Sequence, residues 1–463
     1  MKARVNFRLV FPVFMLWSLA VVCLTEAVVA AEAEWKVGLA RVKITPQEPL
    51  FMAGYASRNK PFEGIEGELY AKAMAFEDRE GHRAVIVTSD LIGFTAKVAE
   101  PICEQISAKT GLQRAQVLLN SSHTHTGPTL NPGANQPSAD AQRTEAYTCR
   151  LQEQVVALVE QALSRLEPAN LEWGVGVVNF PMNRREFTPN GVILGVNPRG
   201  PVDRSVPVLR VAAPDGKLRA VLFGATCHNT TLGGRDYKIS GDFSGYSQDH
   251  VETQNPGAQA MFMQGCAGDA NPHPKGTYEI AREHGATLGR EVLRVLGERL
   301  VPVRGPLRVV YDLADLPLQS GFSRADVEKM INTKGQSWRA YTAGKMLEAL
   351  DKGEKLPTHY RAPIAVWQFG NDLTLVGLSG EVVVDFVALT EQALGPLKLW
   401  IAAYCNDVYG YLPSARVLEE GGYETRGLYA GGIGFFAPTA QDVVAAKLKE
   451  LAEKTERSGM PRR

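Results

Sequence analysis

Five consecutive residues, Ala84-Val85-Ile86-Val87-Thr88, are apolar or β-branched. Such a run has no polar side to turn to water, so it reads as a strand covered on both faces. Comparable runs recur at 117–119, 218–225, 258–264, 373–377 and 399–403. Between them, 96–110, 145–165, 278–296 and 441–454 have helical periodicity. Strands alternating with helices predict an α/β fold, with mixed sheets flanked by helices. The charge-rich stretch 323–355 reads as a helical pair, inserted over about 318–360 with a solvated face. No internal repeat or low-complexity linker interrupts 32–463, which predicts one continuous domain there.

Several of these runs lead into residues that can carry chemistry. Val117-Leu118-Leu119 leads to Asn120-Ser121-Ser122-His123-Thr124-His125-Thr126-Gly127-Pro128. Residues two apart in extended backbone share a side, so His123 and His125 are expected to face one way. The run 218–225 leads to His228, 373–377 to Glu381, and 399–403 to Tyr411. Ligand sites in α/β sheets gather at strand ends. Two histidines and a glutamate are a common set for catalytic zinc, which keeps one position open for water. Each residue also has an ordinary reading: a hydrogen-bonded core histidine for His228, a cap or surface charge for Glu381.

Lys+Arg and Asp+Glu are both 50, so no net field draws the chain to nucleic acid or an acidic membrane. No basic cluster with interleaved aromatics is present either. Lys2, Arg4 and Arg8 precede an apolar core at 9–24 and small residues at 27–31. That pattern predicts a signal peptide over 1–31 and an exported, periplasmic or secreted, chain. No later stretch of the mature chain is long and apolar enough to span a bilayer. Beyond Cys23 the cysteines are Cys103, Cys149, Cys227, Cys266 and Cys405. Cys103 and Cys149 are open to pairing. The other three read as small thiols packed behind the suspected site.

An ordered series of motifs carries a resemblance. Gly38-Leu39-Ala40, Ile44-Thr45-Pro46 and His123-Thr124-His125-Thr126-Gly127-Pro128 come first. Met182-Asn183-Arg184, Ser240-Gly241-Asp242 and Gly268-Asp269-Ala270-Asn271-Pro272 follow. Gly380-Glu381, the stretch 406–411 and Tyr423-Glu424 complete it. From about Gly38 to Phe436 the chain resembles the neutral/alkaline non-lysosomal ceramidases, zinc-dependent amidases that split ceramide. The resemblance implies zinc ligands at His123, His228, Glu381 and Tyr411. It implies that His125 contacts the scissile amide and that Arg184 and Tyr423 line the same site. Asn271 stands where the family carries a serine associated with catalysis, and Asn271 and Asp242 are expected to bind substrate. The resemblance also implies that the chain corresponds to the family's catalytic domain, and the C-terminal immunoglobulin-like domain is expected to be absent.

The expectation is therefore a zinc-dependent hydrolase that cleaves the amide bond of a small-molecule or lipid N-acyl substrate by zinc-activated water. Asn271 cannot act as a serine nucleophile, though it can hydrogen-bond substrate. That replacement motivates two alternatives: hydrolysis of a different ester or N-acyl substrate, or a non-catalytic zinc-binding protein of the same fold.

Overall fold

The computed structural model describes residue 1 and residues 33–132, 137–332 and 337–457. The expected signal peptide lies, but for Met1, outside the described residues. The largest sheet has nine strands. Eight form a continuous order: Gln259–Gln264, Leu218–Ala225, Ser205–Ala212, Glu167–Val177, Trp35–Lys43, Tyr70–Asp78, Arg83–Ser89 and Val117–Ser121. The ninth, Val301–Val303, pairs with Glu167–Val177. A second sheet orders Leu307–Pro317, His359–Phe369, Leu373–Leu378 and Leu399–Ala402. Both sheets are mixed. Parallel pairing joins Arg83–Ser89 to Val117–Ser121, Leu218–Ala225 to Gln259–Gln264, and Leu373–Leu378 to Leu399–Ala402.

Side-chain alternation along these strands divides the core into layers. Met74, Phe76, Ile86, Leu118, Leu222 and Met261 face the second sheet, meeting Trp367, Leu375 and Trp400. The opposite faces carry Ala73, Val85, Val87 and Leu119 against the helices Ala96–Thr110 and Ser138–Ser164. Val208, Phe223 and Phe262 pack against Asp242–Gln254 and Tyr278–Leu296. The outer face of the second sheet, with Ile364, Val366 and Val376, is covered by Asp385–Leu394 and Ala440–Lys454. The order is thus helix, sheet, sheet, helix. This is the mixed α/β architecture expected, and its sheets are buried on both faces, as the continuous apolar runs require.

The edges of the nine-stranded sheet meet through side chains. Gln264 N donates to Asn120 Oδ1 at 3.0 Å, and Gln264 Nε2 donates to Ser122 O at 2.9 Å. The chain leaving Leu399–Ala402 docks at the same place. Asn120 Nδ2 donates to Ala403 O at 2.7 Å, Ala403 N to Gln264 O at 3.0 Å, and Asn406 N to Leu119 O at 2.8 Å. Asn120 and Gln264, both fully buried, therefore stitch three strand ends from two sheets into one floor.

The charge-rich segment forms the helices Arg324–Asn332 and Ser337–Asp351 between Leu307–Pro317 and His359–Phe369. They share a small core, with Val327, Ala343 and Met346 against Phe435. Thr342 Oγ1 donates to Arg426 O and lies 2.9 Å from Leu428 O, which fixes the pair to the loop after Tyr423. Cys103, buried, and Cys149, exposed, are both unpaired, as are Cys227, Cys266 and Cys405.

Candidate metal centre

His123, His228 and Glu381 arrive at one point from three strand ends. The expected route for His123 and His125 is corrected by the structure. The strand stops at Ser121, and His123 adopts a left-handed backbone with φ 63°. The two rings still converge, with Nε2 atoms 3.1 Å apart, because a turn and not strand alternation aims them. Thr124 then bridges Asn229 in parallel, which ties this loop to the one that carries His228. Glu381 is delivered by Gly380 at φ 83°. A β-carbon there would lie 2.8 Å from the Tyr409 ring, so only glycine fits. Glu381 and Tyr411 are register partners in a two-stranded parallel pair.

The donor atoms face inward. His123 Nδ1 is bonded to Ile92 O and His228 Nδ1 to Ala267 O. A ring nitrogen against a carbonyl carries the proton, which leaves each Nε2 bare in the neutral ring. Burial, then Arg184, push His228 down to about 4, so that ring is neutral at pH 7. Burial, then His123 and His228, also hold His125 well below its usual range. Glu381 Oε2 lies 2.9 Å from His228 Nε2 and 3.1 Å from His123 Nε2. Burial alone would raise this carboxyl; positive charge between it and the His123 and His228 rings, on a proton or a cation, holds it well below the ordinary range. Tyr429 donates to the other oxygen, Oε1, at 2.6 Å.

Lone pairs this close repel unless something positive lies among them. A single proton relieves one such contact, whereas one cation relieves all of them. Ligands about 2.0–2.1 Å from a tetrahedral ion lie roughly 3.3 Å apart, close to the separations seen here. The three histidines also have their donor atoms within 4.8 Å of one another. The residues therefore fit a metal ion.

Beside the histidines stands an arginine. Arg184 lies on the strand Pro181–Thr188, paired with Gly191–Asn197 on one side and Ala270–Pro272 on the other. Its Nη2 donates to Tyr411 Oη at 3.0 Å and its Nη1 to Asn271 Oδ1 at 3.3 Å. Its Nε donates to Glu424 Oε1 at 2.9 Å. Glu424 Oε2 accepts from Arg185 Nη1 at 2.6 Å, and Arg185 is held further by Gly421 O. Burial pushes the Tyr411 phenol well above its usual range, with Arg184 opposing.

Burial separates floor from rim. His123, His228, Glu381, Tyr411 and Arg184 are buried, while His125, Asn271 and Tyr423 are half-buried along one side. His125 Nδ1 is buried without a partner, and its ring packs edge-on against Tyr55 at 5.0 Å. The Tyr423 ring lies 5.6 Å from Tyr411. Asp242 is placed differently. It opens the helix Asp242–Gln254 at φ 53°, and its carboxylate accepts from Leu232 N and Phe243 N. Sequence reasoning gave no role to Asn120, Arg185, Glu424 or Tyr429. A local signal existed for Asn120, which opens the stretch that carries His123, and for Arg185 and Glu424, each of which adjoins a residue already singled out.

The fold has solved counterparts. Neutral ceramidase from Pseudomonas aeruginosa superposes with a TM-score of 0.68 at 19% identity, covering 93% of this chain and 77% of that one. A structure titled ceramidase complexed with C2 gives 0.69 at 20% identity, covering 93% and 78%. In sequence, neutral ceramidase B of Dictyostelium discoideum is 26% identical over 271 residues, 53% of this chain and 37% of the relative. Neutral ceramidase of Drosophila pseudoobscura pseudoobscura is 32% identical over 116 residues, 24% and 16%. The chain thus matches well under half the length of these curated relatives. The description "Neutral/alkaline non-lysosomal ceramidase, N-terminal" matches residues 35–287. That match takes in more than half of the sequence, including His123, Arg184 and His228, and by it the chain belongs to the neutral/alkaline non-lysosomal ceramidase family.

Proposed function

We propose that the protein is an exported, zinc-dependent hydrolase that cleaves the amide bond of an N-acyl lipid of the ceramide class. One observation carries the reading: the Nε2 atoms of His123 and His228 and the Glu381 carboxylate converge to about 3 Å, with His125 Nε2 3.1 Å from His123 Nε2, a cluster of donor atoms that one cation would satisfy together. His123, His228 and Glu381 would hold the ion, and Tyr411 completes the set. Bound there, zinc supplies a Lewis acid and brings the pKa of water to about 7.

The remaining steps belong to side chains. Arg184 presents two nitrogens toward Tyr411 and Asn271 and orients the acyl oxygen as it gains charge. Glu424 and Arg185 hold that guanidinium in place. His125, a neutral ring with one unpartnered nitrogen, takes a proton and returns it to the leaving nitrogen. Tyr423 closes the rim beside Tyr411. Asn271 Oδ1 is engaged with Arg184 and Thr230, so its contribution is orientation rather than attack. Among the described residues no helix is long and apolar enough to cross a membrane.

The test is fatty-acid release from a short-chain fluorescent ceramide, and from the matching ester, with and without a zinc chelator. Chelator-sensitive release from ceramide is expected. Release from the ester alone would move the chain to another substrate. Bound zinc with no turnover of either would leave a binding protein.

A further inference from the structure

Tyr404 is used by none of the steps above, yet it stands at the same centre. Its backbone is left-handed, φ 55°. Asn406, two residues on, shares that conformation at φ 65°, and asparagine tolerates it well. A tyrosine there is strained, and strain of this kind persists only where the surrounding structure over-determines it, most often at functional sites. Tyr404 N donates to Gly380 O at 3.1 Å, which clamps the residue to the turn before Glu381.

The ring is 1% exposed and packs 4.5 Å from the His123 ring and 6.1 Å from that of His228, centroid to centroid. Its hydroxyl is buried and has no hydrogen-bond partner. The groups close enough to act on this hydroxyl electrostatically are Glu381, Tyr411, Arg184 and Tyr429. Buried hydroxyls are nearly always paired, because leaving one unpaired forfeits its hydration for nothing. A donor held at a strained backbone, its ring packed against two candidate metal ligands and its hydroxyl left open, suits an acceptor that arrives with the ligand.

We propose that Tyr404 is a further catalytic residue, whose phenolic O–H donates a hydrogen bond to the acyl oxygen of the bound substrate. This rests on the hydrolase reading above. The hydrogen bond strengthens as that oxygen gains negative charge, so it acts on turnover more than on binding.

The test compares wild type with Tyr404→Phe, which keeps ring and packing, and with Tyr404→Asn, which adopts the left-handed backbone without strain. Zinc content per chain, kcat and KM for the short-chain ceramide, and affinity for a phosphinate analogue of it are measured. Both variants are expected to keep zinc. Tyr404→Phe should lower kcat at least tenfold with KM little changed, and should weaken the analogue by a similar factor. A Tyr404→Phe protein with a raised melting temperature, wild-type kcat and wild-type analogue affinity would show a merely buried hydroxyl and overturn the inference. Loss of zinc from both variants would also overturn it, assigning Tyr404 to the metal shell. Should wild type bind zinc but hydrolyse neither amide nor ester, the hydrolase reading fails first and Tyr404 falls with it.

Discussion

His123, His228 and Glu381 hang from strand ends that are locked to one another by main-chain and amide hydrogen bonds. Arg184, across the site, stands on a hairpin strand and is held by the carboxylate of Glu424, 240 residues away in sequence. The histidine side gains its rigidity from the core: Asn120, Gln264 and the 403–406 segment join two sheets beneath it. The arginine side gains it from charge, two buried guanidiniums sharing one buried carboxylate. A floor built by packing tolerates loss of a surface charge. A wall built by ion pairing does not tolerate loss of the anion its two guanidiniums share.

If the sides are separable in this way, His228→Ala has the largest effect and a specific signature. It removes a ligand from a site whose other groups stay in place. Zinc per chain, measured by mass spectrometry after dialysis, should fall from about one to near zero. Full occupancy in the variant would remove His228 from the ligand set. Glu424→Gln should give the reverse pattern. Zinc stays, but Arg184 loses its anion and Arg185 keeps only Glu420, at a cost of about 3–5 kcal/mol. Urea midpoints and metal content on the same samples separate the two outcomes. Equal stability in Glu424→Gln would mean that solvent already screens the pair.

Asn120→Ala should injure both sides at once, though less. It strips Gln264 N and Ala403 O of their partner, about 2–4 kcal/mol for groups this deeply buried. Both metal affinity and turnover should weaken, since the strand ends beneath His123 and Tyr411 lose registration. A variant that lost activity alone would show that the floor is held elsewhere.

The same contrast governs what could be read from sequence. Arg83–Ser89, Ala96–Thr110 and Tyr278–Leu296 have the bounds that apolar runs and periodicity imply, since packing is written locally. His123, His228, Glu381 and Tyr411 were legible for a related reason: each follows such a run. The strands Leu307–Pro317 and His359–Phe369 were not. Asp312 and Asp315 blur the first, and a helical pair separates it from its partner. Glu424 was seen as part of a motif, but its work depends on Arg184 and Arg185. No window of sequence brings those three together. Tyr404 was hidden for another reason: a positive φ on a tyrosine leaves no trace in composition or spacing.

Asp269 joins the two sides and supplies the smallest and most graded test. Its Oδ1 accepts from Val384 N at 2.8 Å, three residues beyond Glu381. Its Oδ2 accepts from Asn183 Nδ2 at 3.3 Å, the residue before Arg184. Burial pushes its carboxyl up to about 7. In the unfolded chain an aspartate titrates near 3.9. Between those values the folded chain holds a proton that the unfolded chain has released. The contribution of Asp269 is therefore fully present below about pH 4, and it falls as pH rises, by about 1.4 kcal/mol per unit at most. Above the folded pKa no further loss follows. Urea midpoints measured at pH 5, 6, 7 and 8 should decline and then level for this group, and Asp269→Asn should remove that part of the slope. An unchanged slope in the variant would mean that Asp269 is ionised in the folded protein. The joint between floor and wall would then be an anion bound by amides, not a neutral carboxyl.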